Sequence, residues 1–291
     1  MNISIEMIIG AVAFLILGPI VGCILAGLDR KFSAGMQGRV GPKLLQPLYD
    51  VQKLISKEKA TVNGAQDLYV WLYFIFIIIA GLMFFAGMSF LLCVFVLTLG
   101  SLFLIVAAYA SRSPYAELGA SREIIQVMSY EPMVLIMAIG LFLATGSFDV
   151  KDVLNLELPL VRFLPLIFLG FLYILTIKLR KSPFDISMSH HAHQELVRGV
   201  NTEFSGKTLA LIEISHWYET VMFLGWIAMF CLWNGGWIAA VVSIVVCLFV
   251  WFLEIWIDNN FARVKWQAML KTSWLVALIL GAVNIAYLLF I

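Results

Sequence analysis

The chain has 291 residues, 62% of them hydrophobic and only 13% charged, with a mean hydropathy of +0.97. Soluble domains carry about 25% charged residues, so an ordinary soluble domain is excluded and lipid is the expected solvent. The net charge of +1 gives no footprint for nucleic acid.

A span needs roughly 20 apolar residues, and the chain reads as about eight. Residues 7–28 are uncharged, with Glu6 rather than a basic leader in front, and are expected to form a true span and not a signal peptide. The uncharged stretch between Asp67 and Arg112 would make one helix of about 66 Å at 1.5 Å per residue. It divides into two spans that turn near residues 87–89. A fourth covers about 124–145 and a fifth about 158–179, with an acidic loop of Asp149, Asp152 and Glu157 between them. The sixth, about 208–233, carries Glu213, His216 and Glu219 in its first half. Trp233, Asn234, Gly235, Gly236 and Trp237 form a turn flanked by interfacial tryptophans. A seventh span follows to about residue 257 and an eighth covers 272–291. The expected fold is an all-α polytopic membrane protein, one integral membrane domain over 1–291. Two polar segments, 38–58 and 181–207, stand out.

Positive residues accumulate on the cytoplasmic side of a membrane. Of the 19 Lys and Arg residues, all but Lys151 and Arg162 fall in the loops after spans 1, 3, 5 and 7. Those loops are expected in the cytoplasm, with both termini outside.

Segment 38–58 reads GRVGPKLLQPLYDVQKLISKE. Gly41-Pro42 and Gln46-Pro47 are turn signals. After Pro47, Leu48, Val51, Leu54 and Ile55 share one side of a helix while Asp50, Lys53 and Lys57 occupy the other. Periodicity favours a helix lying on the bilayer over one docking on another protein. Segment 111–132 brings Glu117, Arg122 and Glu123 to the membrane boundary and puts Glu131 inside span 4. A charged carboxylate at mid-membrane costs about 2.5–3.5 kcal/mol on insertion scales, so Glu131 should face protein or water. A helix-to-helix hydrogen bond and a place on an ion pathway both explain it. Glu213, His216 and Glu219 recur every three residues, so neighbours can meet. Three titratable groups in one half-span point to a proton or cation pathway rather than packing.

Segment 181–207 gathers Asp185, His190, His191, His193, Glu195 and Glu203. A metal site is the sharp reading. A docking or proton-uptake surface is preferred, because the histidines share one short loop with no compatible cysteine. Cys23, Cys93, Cys231 and Cys247 stand singly in apolar runs, which supports neither a disulfide framework nor an iron–sulfur site.

Segments 38–58 and 111–132, Pro183-Phe184-Asp185 and segment 195–206 together resemble the membrane subunit shared by respiratory complex I and the energy-converting membrane-bound nickel–iron hydrogenases. The likeness covers nearly the whole chain. The hydrogenase branch looks closer. Complex I members tend to follow Pro-Phe-Asp with a glutamate-rich stretch, where HHAHQEL here is longer and histidine-rich. His216 occupies a place where respiratory members tend to have Glu, and the ending FARVKWQAMLKTSW again resembles the hydrogenase branch.

The resemblance implies a subunit in a prokaryotic cytoplasmic membrane that joins a soluble redox arm to proton or sodium translocation. It implies no catalytic, metal or redox group in this chain; nickel–iron and iron–sulfur centres are expected in a nickel–iron large subunit and an iron–sulfur small subunit. An antiporter-like membrane subunit and membrane lipid are the other expected partners, with ferredoxin as substrate of the complex. Glu117, Glu123, Glu131, Glu213, His216 and Glu219 are the expected ion-pathway residues. Arg39, Gln46, Asp50, Lys53, Asp185, His190, His191, His193, Glu195 and Glu203 are the expected docking and coupling residues. A quinone-reducing complex I-like enzyme is the alternative within the family. A stand-alone cation transporter is less favoured, since no convincing internal repeat is visible, and an inert anchor leaves the buried acids without a purpose.

Overall fold

A computed structural model of the chain describes residues 5–58, 63–184, 186–188 and 198–290. The long helices are α1 (Ile5–Met36), α3 (Gly64–Phe85), α4 (Phe90–Ala110), α5 (Pro114–Thr145), α8 (Gly206–Cys231), α9 (Trp237–Asn260) and α10 (Trp266–Leu289), with shorter α2 (Gln46–Ser56), α6 (Leu160–Phe163) and α7 (Pro165–Lys178) between them. The fold is all-α, as expected. By length and composition α1 from Met7, α3, α4, α5, α9 and α10 suffice to cross a membrane. In lipid a backbone polar group has no water to turn to, so long apolar segments close their hydrogen bonds as helices.

The chain turns where the sequence signals it. The α3–α4 turn uses Gly87 at φ +72°, and it is pinned to the loop after α5 by Phe90 N–H donating to Phe148 O and Val150 N–H to Met88 O. Asn63 caps α3 by accepting from Ala65 N–H at 3.1 Å. Gly146, at φ +78°, ends α5, a position that suits glycine.

Several boundaries differ from expectation. The first span continues to Met36 and the fourth starts at Pro114, making both helices 32 residues long. Glu117 and Glu123 are therefore helical and continuous with Glu131. The expected fifth span is broken at Leu164, whose φ of −123° and ψ of +49° leave the helical region. Pro165 has no N–H to donate and disfavours a helical residue before it. Asn284 of α10, fully buried, mends the gap: its Oδ1 accepts from Leu166 N–H at 2.8 Å and Ile167 N–H at 3.2 Å, and its Nδ2 donates to Phe163 O at 3.0 Å. The expected sixth span is α8, long enough but diluted by its charged half.

Helix α2 corrects the reading of its apolar side. Pro47 and Val51 are buried, and Leu54 packs with Cys23 of α1 and Ala210, Ile214 and Trp217 of α8. Leu48 and Ile55 are exposed. The helix thus docks on its own chain through half of the predicted stripe. At the centre of the bundle lies Trp226 of α8, ringed by Phe84, Phe90, Phe171 and Phe223 at centroid distances of 5.0–6.4 Å.

Candidate functional site

The polar groups of α8 meet a residue that the sequence places in a loop. After α7 ends at Lys178, Arg180 adopts φ +53°, a left-handed conformation that costs a non-glycine residue of order 1–2 kcal/mol, and its side chain enters the bundle. Its Nη2 donates to Glu123 Oε1 of α5 at 2.7 Å, with the two side chains 11% and 4% exposed. Its Nη1 lies 3.0 Å from His216 Nδ1 and 3.1 Å from Nε2, and His216 Nδ1 lies 3.1 Å from Glu219 Oε2. Glu219 Oε1 accepts from Tyr73 Oη of α3 at 3.1 Å. Glu123, Arg180, His216, Glu219 and Tyr73 form one continuous polar chain across four parts of the bundle. Charges at this depth persist only when paired and hydrogen-bonded.

A cavity of about 820 Å³ opens onto this chain. His216 and Glu219 lie on its inner wall with Glu213, and Asp29, Arg30 and Arg39 line it from α1 and the following turn. A polar seam borders it. Lys181 Nζ pairs with Asp29 Oδ2 at 2.8 Å, Ser182 N–H donates to Asp258 Oδ1 at 2.8 Å, and Asn259 Nδ2 donates to Ser33 Oγ at 3.0 Å. The seam ties α1, α9 and the segment after α7 together at one end of the bundle.

The expected ion-pathway residues are thus partly assembled. Glu123, His216 and Glu219 join one chain; Glu213 stands on the cavity wall; Glu131 is half-buried and acts through space on Lys178; Glu117 is exposed on the first turn of α5. Arg180 and Tyr73 were missed. So was Glu254 of α9, fully buried with neither carboxylate oxygen hydrogen-bonded among the described residues. An acid inside WFLEIW was the available signal for it, and the run KLRK at a span end was the signal for Arg180.

Of the expected docking residues, Asp50 accepts from Arg30 at 2.6 Å and from Gln46 at 2.9 Å. Burial works upward on the Asp50 carboxyl, but these hydrogen bonds and the charges of Arg30 and Lys53 hold it below its ordinary value. Arg39 donates to Gln37. Lys53 is exposed and Glu203 half-buried. Asp185, His190, His191, His193 and Glu195 lie outside the described residues. Among the described residues no cluster of His, Cys, Asp or Glu is built to hold a metal, and the four cysteines are free thiols.

The family model described as NADH dehydrogenase matches residues 8–289. A subunit of the NADH-quinone oxidoreductase of Anoxybacillus flavithermus is 31% identical, with 98% of this chain and 93% of that protein aligned. The subunit of the same name in Geobacillus thermodenitrificans is 32% identical over the same shares. A chain of the membrane-bound sulfane sulfur reductase, an archaeal respiratory membrane complex, matches with a TM-score of 0.84 at 22% identity, covering 98% of this chain and 100% of that one. At that identity the likeness concerns the fold.

Proposed function

The chain belongs to the NADH dehydrogenase family, and from that premise we propose that it is the membrane subunit of an energy-converting hydrogenase complex, linking a soluble nickel–iron and iron–sulfur arm to proton or sodium translocation. Its relatives are subunits of oxidoreductase complexes, and the chain itself is a multi-pass membrane protein. The observation that carries the coupling role is the buried chain from Glu123 through Arg180, His216 and Glu219 to Tyr73, joined at His216 and Glu219 to the large cavity. Such a chain exchanges protons between neighbours and water.

Arg180 supplies the link to the redox arm. It immediately precedes the segment 181–207, whose composition is that of a docking loop, and its unfavourable φ is sustained only by the contacts it makes. A shift of that loop on electron transfer withdraws the guanidinium from Glu123 and His216. A bare buried carboxylate costs several kcal/mol, and taking up a proton removes that cost. Redox events in the arm thereby become proton uptake in the membrane.

The cavity wall mixes charges of both signs, among them Asp29, Arg30 and Arg39, with apolar Leu25, Val40, Phe223 and Trp251, and so suits either reading; one feature supports hydrogen evolution over quinone reduction. The loop bearing His190, His191 and His193 is hydrophilic in sequence. The relatives' names favour the second reading, a quinone-reducing complex. Purification of the native complex decides between them. We expect a co-purifying nickel-bearing subunit and hydrogen evolution from reduced ferredoxin. Reduction of a soluble quinone analogue, with no nickel present, would establish the quinone reading.

A further inference from the structure

Lys178, counted among the loop lysines by charge pattern, ends α7 inside the bundle and is 8% exposed. Its Nζ lies 4.0 Å from the ring centroid of Tyr130, 5.2 Å from Phe223 and 5.4 Å from Trp226. Aromatic faces stabilise an ammonium most where water is withdrawn. Among the described residues no ion pair closer than 4.0 Å includes it. The charged groups that act on it through space are Glu219 of α8, Glu131 and Glu123 of α5, and Arg180.

Beside Lys178 is a small cavity of about 20 Å³, whose polar wall consists of Ser101, Glu123, Gln126, Tyr130, Arg180 and Glu219 in addition to the lysine. One water needs a space of about 10–15 Å³ on this measure and two to four polar partners. The wall supplies them. Glu123 Oε1 is occupied by Arg180, but Glu123 Oε2 is buried and has no partner among the described residues. Gln126 Nε2 donates to Phe184 O at 2.7 Å, yet its Oε1 is likewise buried and unused. Two idle acceptors and one ammonium therefore border a space of one-water size. An ammonium on the wall repels a metal cation, which makes this a place for water.

We propose that this cavity is a single-water site and that Lys178 is a proton-loading residue of the coupling path, exchanging its proton through that water with Glu123. The inference rests on the coupling role proposed above and not on the identity of the electron acceptor. With Arg180 in place, Lys178 and Glu123 form a water-separated ion pair. When Arg180 withdraws, an Nζ–H bond of Lys178 breaks as the water takes that proton and passes one of its own to Glu123 Oε2. The products of this step are a neutral amine and a neutral carboxylic acid, so net charge is conserved within it. The aromatic cage accommodates both forms of the amine, which also lines the large cavity and takes a proton from water there, so that one proton has been taken up; the return of Arg180 drives the proton off Glu123 through the water of the small cavity to Glu219, which shares its wall.

The test uses the whole complex in inverted membrane vesicles, with electron turnover and internal acidification by a pH-sensitive dye read in the same sample. Lys178→Arg keeps charge and aromatic contacts but does not release its proton; Lys178→Gln removes both. Both variants should lower protons moved per electron by about tenfold or more, with turnover within about twofold of wild type. A wild-type ratio in Lys178→Arg would make the lysine a fixed charge and overturn the inference. Should either variant fail to assemble, infrared difference spectra of the wild-type complex, reduced against oxidised, take over. A lysine band that shifts with ¹⁵N-lysine labelling is expected, and its absence overturns the inference. The ratio is read with protons or a quinone analogue as acceptor, whichever sustains turnover. Wild-type vesicles that turn over without acidifying would instead sink the coupling role itself.

Discussion

Replacing Arg180 with Met removes the guanidinium donated to Glu123 Oε1 at 2.7 Å while keeping most of the apolar stem. Glu123 is then left 4% exposed, its second oxygen already without a partner among the described residues. Breaking a buried pair from one side costs about 3–5 kcal/mol, because a charge stays behind with nothing to compensate it. Replacing both members by apolar residues of similar volume is commonly neutral or stabilising. We therefore expect Arg180→Met to destabilise the chain by about 3–5 kcal/mol and the double variant Arg180→Met, Glu123→Met to return within about 1 kcal/mol of wild type. Glu123→Met alone should cost less than Arg180→Met, since the guanidinium keeps His216 beside it. Unfolding of the detergent-solubilised protein, followed by tryptophan fluorescence across a denaturant series, measures the cycle. An Arg180→Met cost under about 1 kcal/mol would show the pair to be hydrated, and additive single costs would show the two residues to be uncoupled.

Three other outcomes follow from separate parts of the structure. A Cβ at Gly119 of α5 would stand 2.3 Å from Val200 N and 2.4 Å from Gly199 C, so Gly119→Ala should loosen the 181–207 loop at about 1–3 kcal/mol; limited proteolysis of that loop should accelerate, and an unchanged rate refutes the close packing. The Asp50 carboxyl is held low in the fold, so its contribution to seating α2 is complete above the ordinary carboxylate value of about 4 and fades as pH falls through its lowered value. Both partners are substantially exposed, which limits the effect to about 1 kcal/mol; hydrogen exchange in α2 should rise only at low pH, and Arg30→Ala should remove that rise. Finally, in a chain with its four cysteines replaced, Lys151→Cys should react with an impermeant thiol reagent in intact cells while Ser56→Cys stays protected; the opposite pattern would invert the proposed orientation.

What the sequence made legible was whatever depends on local composition. Uncharged runs gave the positions of the helices, and the glycines near 87 and 236 gave two of the turns, since both facts follow from short stretches of chain. The break at Leu164 was signalled by Pro165, but its tolerance depends on Asn284, more than 100 residues away. The meeting of His216 and Glu219 was readable from their spacing, whereas Arg180 and Tyr73 come to them from other elements. Lys178 and Arg180 were misplaced for a physical reason: a basic residue at a span end is ordinarily drawn to the water side, and here α7 stops too early for that.

The shortness of α7 explains why the charged chain exists where it does. Fourteen residues rise about 21 Å, less than the roughly 30 Å of a bilayer core, so the backbone at one or both ends of α7 lies at membrane depth. Irregular backbone is tolerated there only where protein encloses it. At one end Asn284 closes the open hydrogen bonds; at the other, Arg180 turns inward and is met by Glu123 and His216. The inward turn at Arg180, at φ +53°, thus places two cations, Lys178 and Arg180, inside the bundle around one small cavity with Glu123 and Glu219. One of them, Arg180, is attached to the loop that any soluble partner at this end of the bundle would have to touch.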